Sequence, residues 1–289
     1  MKNILVSGAT GQLGQELNEL VHDYPKFNFD LKSRPELDLE NELSIKNALQ
    51  DKQYDYFINA GAYTAVDKAE SDKASAYAIN GMALFHIANY IPKDCTLIHI
   101  STDYVYHINK STPLQESDSC HPKGVYALSK LQGEQFVNSM IPRSIILRTS
   151  WVYSRYGKNF VKTMLRLGKE KEELSIVNDE IGTPTYAKNI ANSIMSIING
   201  LEQKPHTEAQ YGIYNYSDEN YTNWADFARY IFSVANINCK VSDISSENYG
   251  AAAKRPTWSV LSKEKIKKDY GIIPPSWQES IQECLQLIE

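Results

Sequence analysis

Three side chains, Thr102, Tyr126 and Lys130, have the types and spacing to deliver a proton to a carbonyl oxygen. Tyr126 and Lys130 are four residues apart, so they share one face if that segment is helical. A free tyrosine has a pKa of about 10, and a neighbouring ammonium is expected to lower that pKa. Thr102 ends an apolar run, and its hydroxyl could hold the substrate oxygen or the phenol. Together these groups are the parts of a proton donor for carbonyl reduction.

A glycine-rich segment near the N-terminus could bind the pyrophosphate of a dinucleotide. Gly8, Gly11 and Gly14 are spaced G-x-x-G-x-x-G between an apolar run and a predicted helix. Glycine lets the backbone turn tightly and approach a ligand, and a helix N-terminus offers free N–H groups to phosphates. The alternative is a tight strand-to-helix turn without a ligand. Its place after the first strand of an α/β chain favours the dinucleotide.

The residues that follow the second predicted strand bear on which nicotinamide cofactor is bound. Asp30 is an acid of the kind that binds adenosine ribose hydroxyls, whereas Ser33 and Arg34 come slightly later. A hydroxyl beside a guanidinium suits the 2′-phosphate of NADP, which arginine binds in bidentate fashion. These residues predict NADPH as the cofactor, with NADH as the alternative. The other interpretation of Arg34 is a solvated loop residue.

Short apolar runs alternate with longer amphipathic segments through the first two thirds of the chain. Strands are predicted at residues 4–7, 27–31, 56–59, 97–101 and 145–148, and helices at 12–21, 43–51, 71–91, 125–140 and 159–168. The alternation continues at residues 174–177 and 187–200. This pattern predicts βαβ units and an α/β fold, a Rossmann-type doubly wound parallel sheet.

After about residue 200 the pattern becomes less regular, which predicts a smaller C-terminal substrate-binding domain. Residues 202–210 are predicted to be a loop and 213–216 a strand. One helix is expected after Thr222 as its N-cap, and a last helix from Ser276. We expect residues 1–148 to form the NADP-binding domain, with segments at about 170–200 packing onto it. Residues 149–289 are expected to be mainly substrate-binding and discontinuous.

Composition excludes several classes of protein. The 289 residues are 42% hydrophobic and 22% charged, which is typical of a globular chain and not of a disordered one. A net charge of -5 argues against a general nucleic-acid binder. No apolar run approaches the length of a membrane span, and no signal peptide is recognised. Four widely separated cysteines predict neither a disulfide framework nor a zinc site, and favour a cytoplasmic protein with reduced thiols.

The order of the glycine-rich turn, S-T-D and Y-x-x-x-K resembles the extended short-chain dehydrogenase/reductase superfamily. More narrowly, several blocks resemble the dTDP-4-dehydrorhamnose reductase family, and the resemblance runs nearly end to end. These blocks are residues 11–17 (GQLGQEL), 59–70 (NAGAYTAVDKAE), 101–105 (STDYV), 126–134 (YALSKLQGE), 148–153 (RTSWVY), 159–165 (NFVKTML), 182–187 (GTPTYA) and 255–256 (RP).

The resemblance implies roles for individual residues. Thr102, Tyr126 and Lys130 would be the catalytic residues, with Tyr126 the proton donor. Together with the residues argued above, the expected cofactor-binding set is Gly8, Gly11, Gln12, Leu13, Gly14, Ser33, Arg34, Asp38, Leu39, Ala62, Tyr63, Thr64, Tyr126 and Lys130. The expected substrate-binding set is Thr102, Asp103, Tyr126, Trp151 and Arg255.

The implied activity is NADPH-dependent reduction of the 4-keto group of dTDP-4-dehydrorhamnose to dTDP-L-rhamnose by a monomer or homodimer. Another nucleotide-sugar reductase or epimerase is an alternative. A non-catalytic relative, such as the regulatory subunit of methionine adenosyltransferase, is another. The presence of the threonine, tyrosine and lysine favours an enzyme, because a non-catalytic relative has no need of them.

The chain also departs from the family pattern. Ala127 stands where the family often has glycine, and residues 106–108 replace its usual Phe-Asp-Gly. Some members are described as binding magnesium through glutamates at a dimer interface. Glu16 could be one such ligand, but Lys188 or Asn189 stands near the place of another. No metal is therefore predicted.

Overall fold

A computed structural model describes residues 1–108, 110–203 and 210–288. Its strands are β1 (Lys2–Ser7), β2 (Phe27–Lys32), β3 (Tyr56–Asn59), β4 (Thr96–Thr102), β5 (Ser144–Thr149), β6 (Val152–Tyr153), β7 (Glu173–Val177), β8 (Ile181–Gly182), β9 (Thr185–Tyr186), β10 (Gly212–Asn215), β11 (Thr222–Asn223) and β12 (Lys240–Ile244).

The α-helices are α1 (Gln12–Glu19), α2 (Glu42–Leu49), α3 (Val66–Ala69), α4 (Lys73–Tyr77), α5 (Ala83–Tyr90), α6 (Val125–Met140), α7 (Phe160–Glu170), α8 (Ala187–Glu202), α9 (Trp224–Val234), α10 (Ser246–Tyr249), α11 (Glu264–Tyr270) and α12 (Trp277–Gln286). Short 3₁₀ turns follow α1 and β4, at Val21–Asp23 and Asp103–Val105.

Six of the described strands form one parallel sheet in the order β10-β5-β4-β3-β1-β2. Alternate residues of its central strands enter two hydrophobic cores. Ile4 and Ile98 pack on one side with α1 and α8, while Leu5 and Leu97 pack on the other with α2, α5 and α6. Helices on both faces explain the continuous apolar runs of these strands. The predicted doubly wound α/β fold is confirmed.

The order of the strands also determines where a ligand can bind. The chain moves outward from β1 to β2 and then returns across β1 to β3, so the direction of winding changes between β1 and β3. In doubly wound folds, ligands bind at the carboxyl ends of the strands on either side of such a switch point. Gly8 follows β1, and Ala60 follows β3, at this edge of the sheet.

The single helix predicted at residues 71–91 is present from Lys73 to Tyr90, but it contains a π-helical turn that was not predicted. The structure has α4, a π-helical turn over Ala78–Met82, and then α5. The Asn80 side chain, at the centre of the turn, accepts a hydrogen bond from the Tyr63 backbone N–H and donates to its carbonyl oxygen. It also donates to the Ser129 hydroxyl of α6. The π turn places Asn80 for these tertiary hydrogen bonds, which helical periodicity does not show.

A second layer is built mainly from residues after β5. Strands β7 and β12 pair in parallel, and α7, α9 and α12 share a separate hydrophobic core. The helix at Ala187–Glu202 instead packs on α1 of the main sheet, and β10 joins that sheet beside β5. The division into domains at residue 148 stays a prediction.

The less regular C-terminal segment follows the predicted elements in outline. Thr222 was expected to cap a helix, but it lies in β11, and Asn223 is the N-cap of α9. The Asn223 side chain accepts from the Asp226 backbone N–H, so the cap is displaced by one residue. Most of the loop predicted at residues 202–210 lies outside the described residues. No helix in the described ranges is long and apolar enough to cross a membrane.

Candidate active site

A cavity of about 740 Å³ opens at the carboxyl edge of the parallel sheet, over the switch point between β1 and β3. It is lined by residues from the turn after β1, the segments after β2 and β3, the end of β4, and α6. Of the predicted site residues, it brings together Gly8, Gly11, Gln12, Leu13, Arg34, Asp38, Leu39, Ala62, Thr64, Thr102, Asp103, Tyr126, Lys130 and Trp151.

Gly14, Ser33, Tyr63 and Arg255 are outside the set that lines this cavity. A Cβ on Gly14 would come within 2.2 Å of the Gly8 carbonyl oxygen, so this glycine allows α1 to pack against the preceding turn. The Ser33 hydroxyl donates to Glu36, and the Tyr63 phenol donates to Asp72. These contacts give Ser33 and Tyr63 structural roles, and their predicted cofactor contacts stay predictions.

The glycine-rich turn has the geometry of an anion-binding helix start. Gly8 has φ of 70°, and a Cβ there would lie 2.7 Å from the Gly61 backbone nitrogen. Gly11 is the N-cap of α1 and supplies no side-chain cap to the first-turn N–H groups. Those groups are therefore available to a phosphate at the positive end of the helix.

The predicted catalytic residues meet where α6 crosses the end of β4. Burial raises the pKa of Tyr126 to about 12, and a hydrogen bond with the Thr102 hydroxyl opposes this. The ring of Tyr104 packs edge-on against Tyr126, with 5.7 Å between centroids. Tyr126 is consequently a protonated phenol at neutral pH, as a proton donor requires.

Lys130 differs from the expectation based on its spacing. Its Nζ lies 2.7 Å from the Ile100 carbonyl oxygen and 3.4 Å from His99 Nε2. Burial lowers the pKa of Lys130 to about 8. The ammonium is directed at the β4 backbone, and it is not among the groups that shift the pKa of Tyr126. The predicted lowering of the Tyr126 pKa by Lys130 is therefore not what this structure shows.

Asp103 places a buried carboxyl group beside the Thr102–Tyr126 pair. The Thr102 hydroxyl lies 3.0 Å from Asp103 Oδ1, and the Ser259 hydroxyl also interacts with this carboxyl group, although Oδ2 makes no hydrogen bond of standard geometry with the described residues. Burial raises the pKa of Asp103 to about 7. A buried polar atom without a partner is costly, so Oδ2 is a candidate contact for a ligand hydroxyl.

Trp151 is a half-buried residue of the cavity wall. Its ring stacks on Trp224 with 3.5 Å between centroids, and its backbone has φ of 45°. The Trp224 indole N–H donates to Glu180 at 3.0 Å, which orients the pair. The two indoles form an aromatic wall from distant parts of the chain, and Trp224 was absent from the predicted site.

Arg34 lies between two carboxylates at the other end of the cavity. Its Nη2 is 2.7 Å from Glu40 and its Nε is 3.4 Å from Asp38. The side chain is 67% exposed, so a phosphate could reach the guanidinium. Glu40 was not predicted as a site residue, because its pairing with Arg34 depends on the shape of the loop after β2.

Arg255 reaches toward the site from the C-terminal segment. Its Nη2 pairs with Asp67 at 2.8 Å, while Nη1 is buried without a hydrogen-bond partner among the described residues. Asp67 also accepts from the Ala253 backbone N–H. This pairing ties the Arg255 segment to α3 within the predicted 59–70 block.

Other residues that line the cavity were missed as site residues. Thr149, at the end of β5, has a buried hydroxyl with no partner among the described residues, and Tyr104 covers Tyr126. Both belong to blocks that carry the family resemblance, so the blocks were the available signal. Lys158 and Asn159 also line the cavity.

Within residues 1–108, 110–203 and 210–288, no group of three or more His, Cys, Asp or Glu side chains could hold a metal ion. Glu16 accepts a hydrogen bond from the Ser154 hydroxyl at 2.6 Å, and Lys188 pairs with Glu283.

Comparisons with known proteins place this architecture in one family. Residues 1–289 match the family model described as RmlD substrate binding domain. The chain is 38% identical to the dTDP-4-dehydrorhamnose reductase of Aggregatibacter actinomycetemcomitans, over 98% of both chains. A crystal structure of dTDP-4-dehydrorhamnose reductase from Bacillus anthracis in complex with NADP is 36% identical, with a TM-score of 0.91 over 99% of this chain and 100% of that one.

The dTDP-4-dehydrorhamnose reductase from Clostridium acetobutylicum has the same TM-score of 0.91 at 34% identity, covering 99% of both chains. The chain belongs to the dTDP-4-dehydrorhamnose reductase family.

Proposed function

We propose that this protein is a cytoplasmic, NADPH-dependent reductase that converts dTDP-4-dehydrorhamnose to dTDP-L-rhamnose. The observation that carries the proposal is the shared cavity of the glycine-rich turn and the Thr102–Tyr126–Lys130 group. A dinucleotide bound by the turn at one end would bring its reactive ring toward the hydroxyl pair. The NADP bound by the Bacillus anthracis relative supports the same cofactor for this chain.

The residues present fit such a cofactor. Gly8 and Gly11 allow the tight turn before α1, since a Cβ on Gly8 would lie 2.7 Å from the Gly61 nitrogen and one on Gly11 3.2 Å from the Gly8 carbonyl oxygen. The first N–H groups of α1 have no side-chain cap and would bind a pyrophosphate. Asp38 and Leu39 line the region after β2, and Ala62 and Thr64 line the region after β3. These segments would hold the adenosine half, with Arg34 on the 2′-phosphate.

When bound, the nicotinamide supplies the hydride that C4 of the keto sugar receives. Negative charge then develops on O4 of the sugar. Tyr126 delivers its phenolic proton to that oxygen, and the Thr102 hydroxyl holds the phenol and the oxygen in line. Lys130, which lines the cavity beside Tyr126, would bind the nicotinamide ribose.

The deoxysugar binds between the catalytic pair and the aromatic wall. Asp103 Oδ2 accepts a hydrogen bond from a sugar hydroxyl, which satisfies the buried oxygen. The exposed part of Trp151 packs on the sugar ring, supported from behind by Trp224. Arg255 uses its unpaired Nη1 on the nucleotide part of the substrate. We expect a monomer or a homodimer.

The decisive experiment is NADPH oxidation by the purified protein with dTDP-4-dehydrorhamnose, with the product identified. Stoichiometric NADPH consumption and dTDP-L-rhamnose are expected. Tyr126→Phe removes only the hydroxyl, so kcat should fall by about 10²–10⁴-fold while NADPH binding survives. An epimerase would consume no net NADPH. A Tyr126→Phe protein with most of the wild-type kcat would exclude this proton donor.

A further inference from the structure

Glu134 is a buried carboxylate directly behind the candidate active site. It is 1% exposed and accepts hydrogen bonds from the Ser101 hydroxyl at 2.5 Å and from Arg148 Nε and Nη2 at 3.0 and 2.5 Å. The Arg148 guanidinium also lies over the ring of Tyr106. Removing two charges from water is costly, and a buried pair is weak evidence of a gain in stability. A role in the candidate active site would explain why the Glu134–Arg148 pair is buried.

The geometry of α6 supplies that role. Tyr126, Lys130 and Glu134 follow one another at four-residue intervals, so they lie on one face of the helix. This face meets the last three residues of β4, residues 100–102. The contacts are Lys130 Nζ to the Ile100 carbonyl oxygen and Glu134 to the Ser101 hydroxyl, and the Thr102 hydroxyl acts on the pKa of Tyr126.

Arg148 fixes the contact between Glu134 and Ser101 from the next strand. Arg148 lies on β5, where it is paired in register with Ser101 of β4. Its guanidinium donates hydrogen bonds to both oxygens of Glu134. The carboxylate is thus held by two neighbouring strands at once. A shift of α6 along β4 would break these hydrogen bonds together with the contacts of Tyr126 and Lys130.

We propose that Glu134 is a positioning residue for the reaction: held by Ser101 and Arg148, it keeps the Tyr126–Lys130 face of α6 in place on β4 and keeps Lys130 protonated. This inference rests on the proposed function. The Glu134 charge opposes the effect of burial, which lowers the pKa of Lys130 to about 8. Removing that charge lowers the pKa further, so Lys130 loses its proton at a lower pH.

Other titratable groups surround this face of α6. They are His99 against Lys130, Arg148 and Cys120 around Glu134, Asp103 and Tyr104 around Tyr126, and Glu70 at the first turn of the helix. Burial lowers the pKa of His99 well below its usual value, so the ring is neutral at neutral pH. Among these groups, Glu134 is the one whose negative charge acts on Lys130.

The first test is Ser101→Ala, which removes one hydrogen bond and changes no charge. A misplacement of about 1 Å at a reacting centre can cost on the order of 10²-fold in rate. We expect kcat to fall by roughly tenfold, with the KM for the sugar and the NADPH affinity close to those of the wild type, and the thermal midpoint to fall because a buried hydrogen bond to a carboxylate is lost. A merely structural hydrogen bond would lower the thermal midpoint and spare kcat.

The second test is Glu134→Gln, which keeps an acceptor for Ser101 but removes the charge. Because Arg148 would then be buried without its partner, Glu134→Gln/Arg148→Met is prepared alongside it. The basic limb of the pH profile of kcat/KM should move to lower pH in either folded variant. Glu170→Gln, which removes an exposed carboxylate paired with Arg166 on α7, is the matched control and should leave the profile unchanged.

A Ser101→Ala protein with unchanged kcat, or a folded Glu134 variant with the wild-type basic limb, overturns the proposal. The affinity for NADP⁺ is also measured against pH by tryptophan fluorescence, without the sugar. A wild-type protein that does not reduce dTDP-4-dehydrorhamnose defeats the proposed function. The pH dependence of NADP⁺ binding then still shows whether Glu134 controls the charge on Lys130.

Discussion

Cofactor choice can be tested at Arg34 with two substitutions of opposite expected effect. Arg34 is held by Glu40 at 2.7 Å and by Asp38 at 3.4 Å, and these carboxylates compete with any phosphate for the guanidinium. Arg34→Ala removes the phosphate ligand. Glu40→Gln leaves the ligand in place and removes one competing charge. We expect the first change to weaken NADP⁺ binding and the second to strengthen it.

The magnitudes follow from the exposure of these groups. A hydrogen bond to a charged group contributes about 1.5–3 kcal/mol, and an exposed ion pair such as Arg34–Glu40 contributes about 0.2–1 kcal/mol. When the 2′-phosphate replaces the carboxylates on Arg34, the binding free energy of NADP⁺ therefore improves by about 1–2 kcal/mol, which is roughly 5–30-fold in Kd. Arg34→Ala should weaken NADP⁺ binding by that factor. Glu40→Gln should tighten it by up to about fivefold.

The assay is a fluorescence titration of each protein with NADP⁺ and with NAD⁺ at two salt concentrations. NAD⁺ has no 2′-phosphate, so its Kd should change less than about twofold in both variants. The effects on NADP⁺ should shrink at high salt, because the guanidinium is exposed. Equal losses for NADP⁺ and NAD⁺ in Arg34→Ala would refute the role of Arg34, and unchanged NADP⁺ affinity in Glu40→Gln would refute the competition.

Three further perturbations test other parts of the site and fold. Trp151→Ala should weaken sugar binding and remove the stacking on Trp224, which contributes about 0.5–1.5 kcal/mol to the free energy of unfolding. If chemical denaturation shows a loss of about 3–5 kcal/mol in that free energy, Trp151 is a core residue instead. Lys130→Met should lower both kcat and NADPH affinity, and unchanged affinity in a titration would exclude contact with the cofactor. Burial raises the pKa of Asp218 to about 7, so its contribution to the free energy of unfolding is present at low pH and is lost as pH rises through 7. In urea titrations, the free energy of unfolding of Asp218→Asn should therefore fall less between pH 4 and pH 7 than that of the wild type. An equal fall in both proteins would contradict the raised pKa of Asp218.

The parallel sheet was predictable because its central strands are buried on both faces. The predicted strand at 27–31 differs from β2 by one residue, and the strand at 56–59 coincides with β3. Local periodicity was insufficient where a tertiary contact decides the backbone. The π turn at Ala78–Met82 depends on hydrogen bonds of Asn80 with Tyr63 and Ser129, which are distant in sequence.

The residues of the candidate site also fall into two groups, those that local spacing predicts and those that depend on tertiary contacts. Motif spacing identified the glycine-rich turn and the pair Tyr126 and Lys130, since both lie within single helices or turns. The stacking of Trp224 on Trp151 joins segments more than 70 residues apart, so neither residue predicts the other. Glu40 likewise enters the site only through the loop that brings it to Arg34.

Spacing also leaves open the protonation states, which burial decides. The i, i+4 relation suggested a tyrosine with a lowered pKa, but burial raises the pKa of Tyr126 to about 12 and lowers that of Lys130 to about 8. At neutral pH the phenol therefore holds its proton while most of the lysine is charged. Reduction of a ketone begins from that state, because the developing alkoxide needs a proton already in place. Oxidation in the reverse direction needs the phenolate first, and burial makes that form costly. At neutral pH the pair thus already holds the proton that the proposed reduction uses.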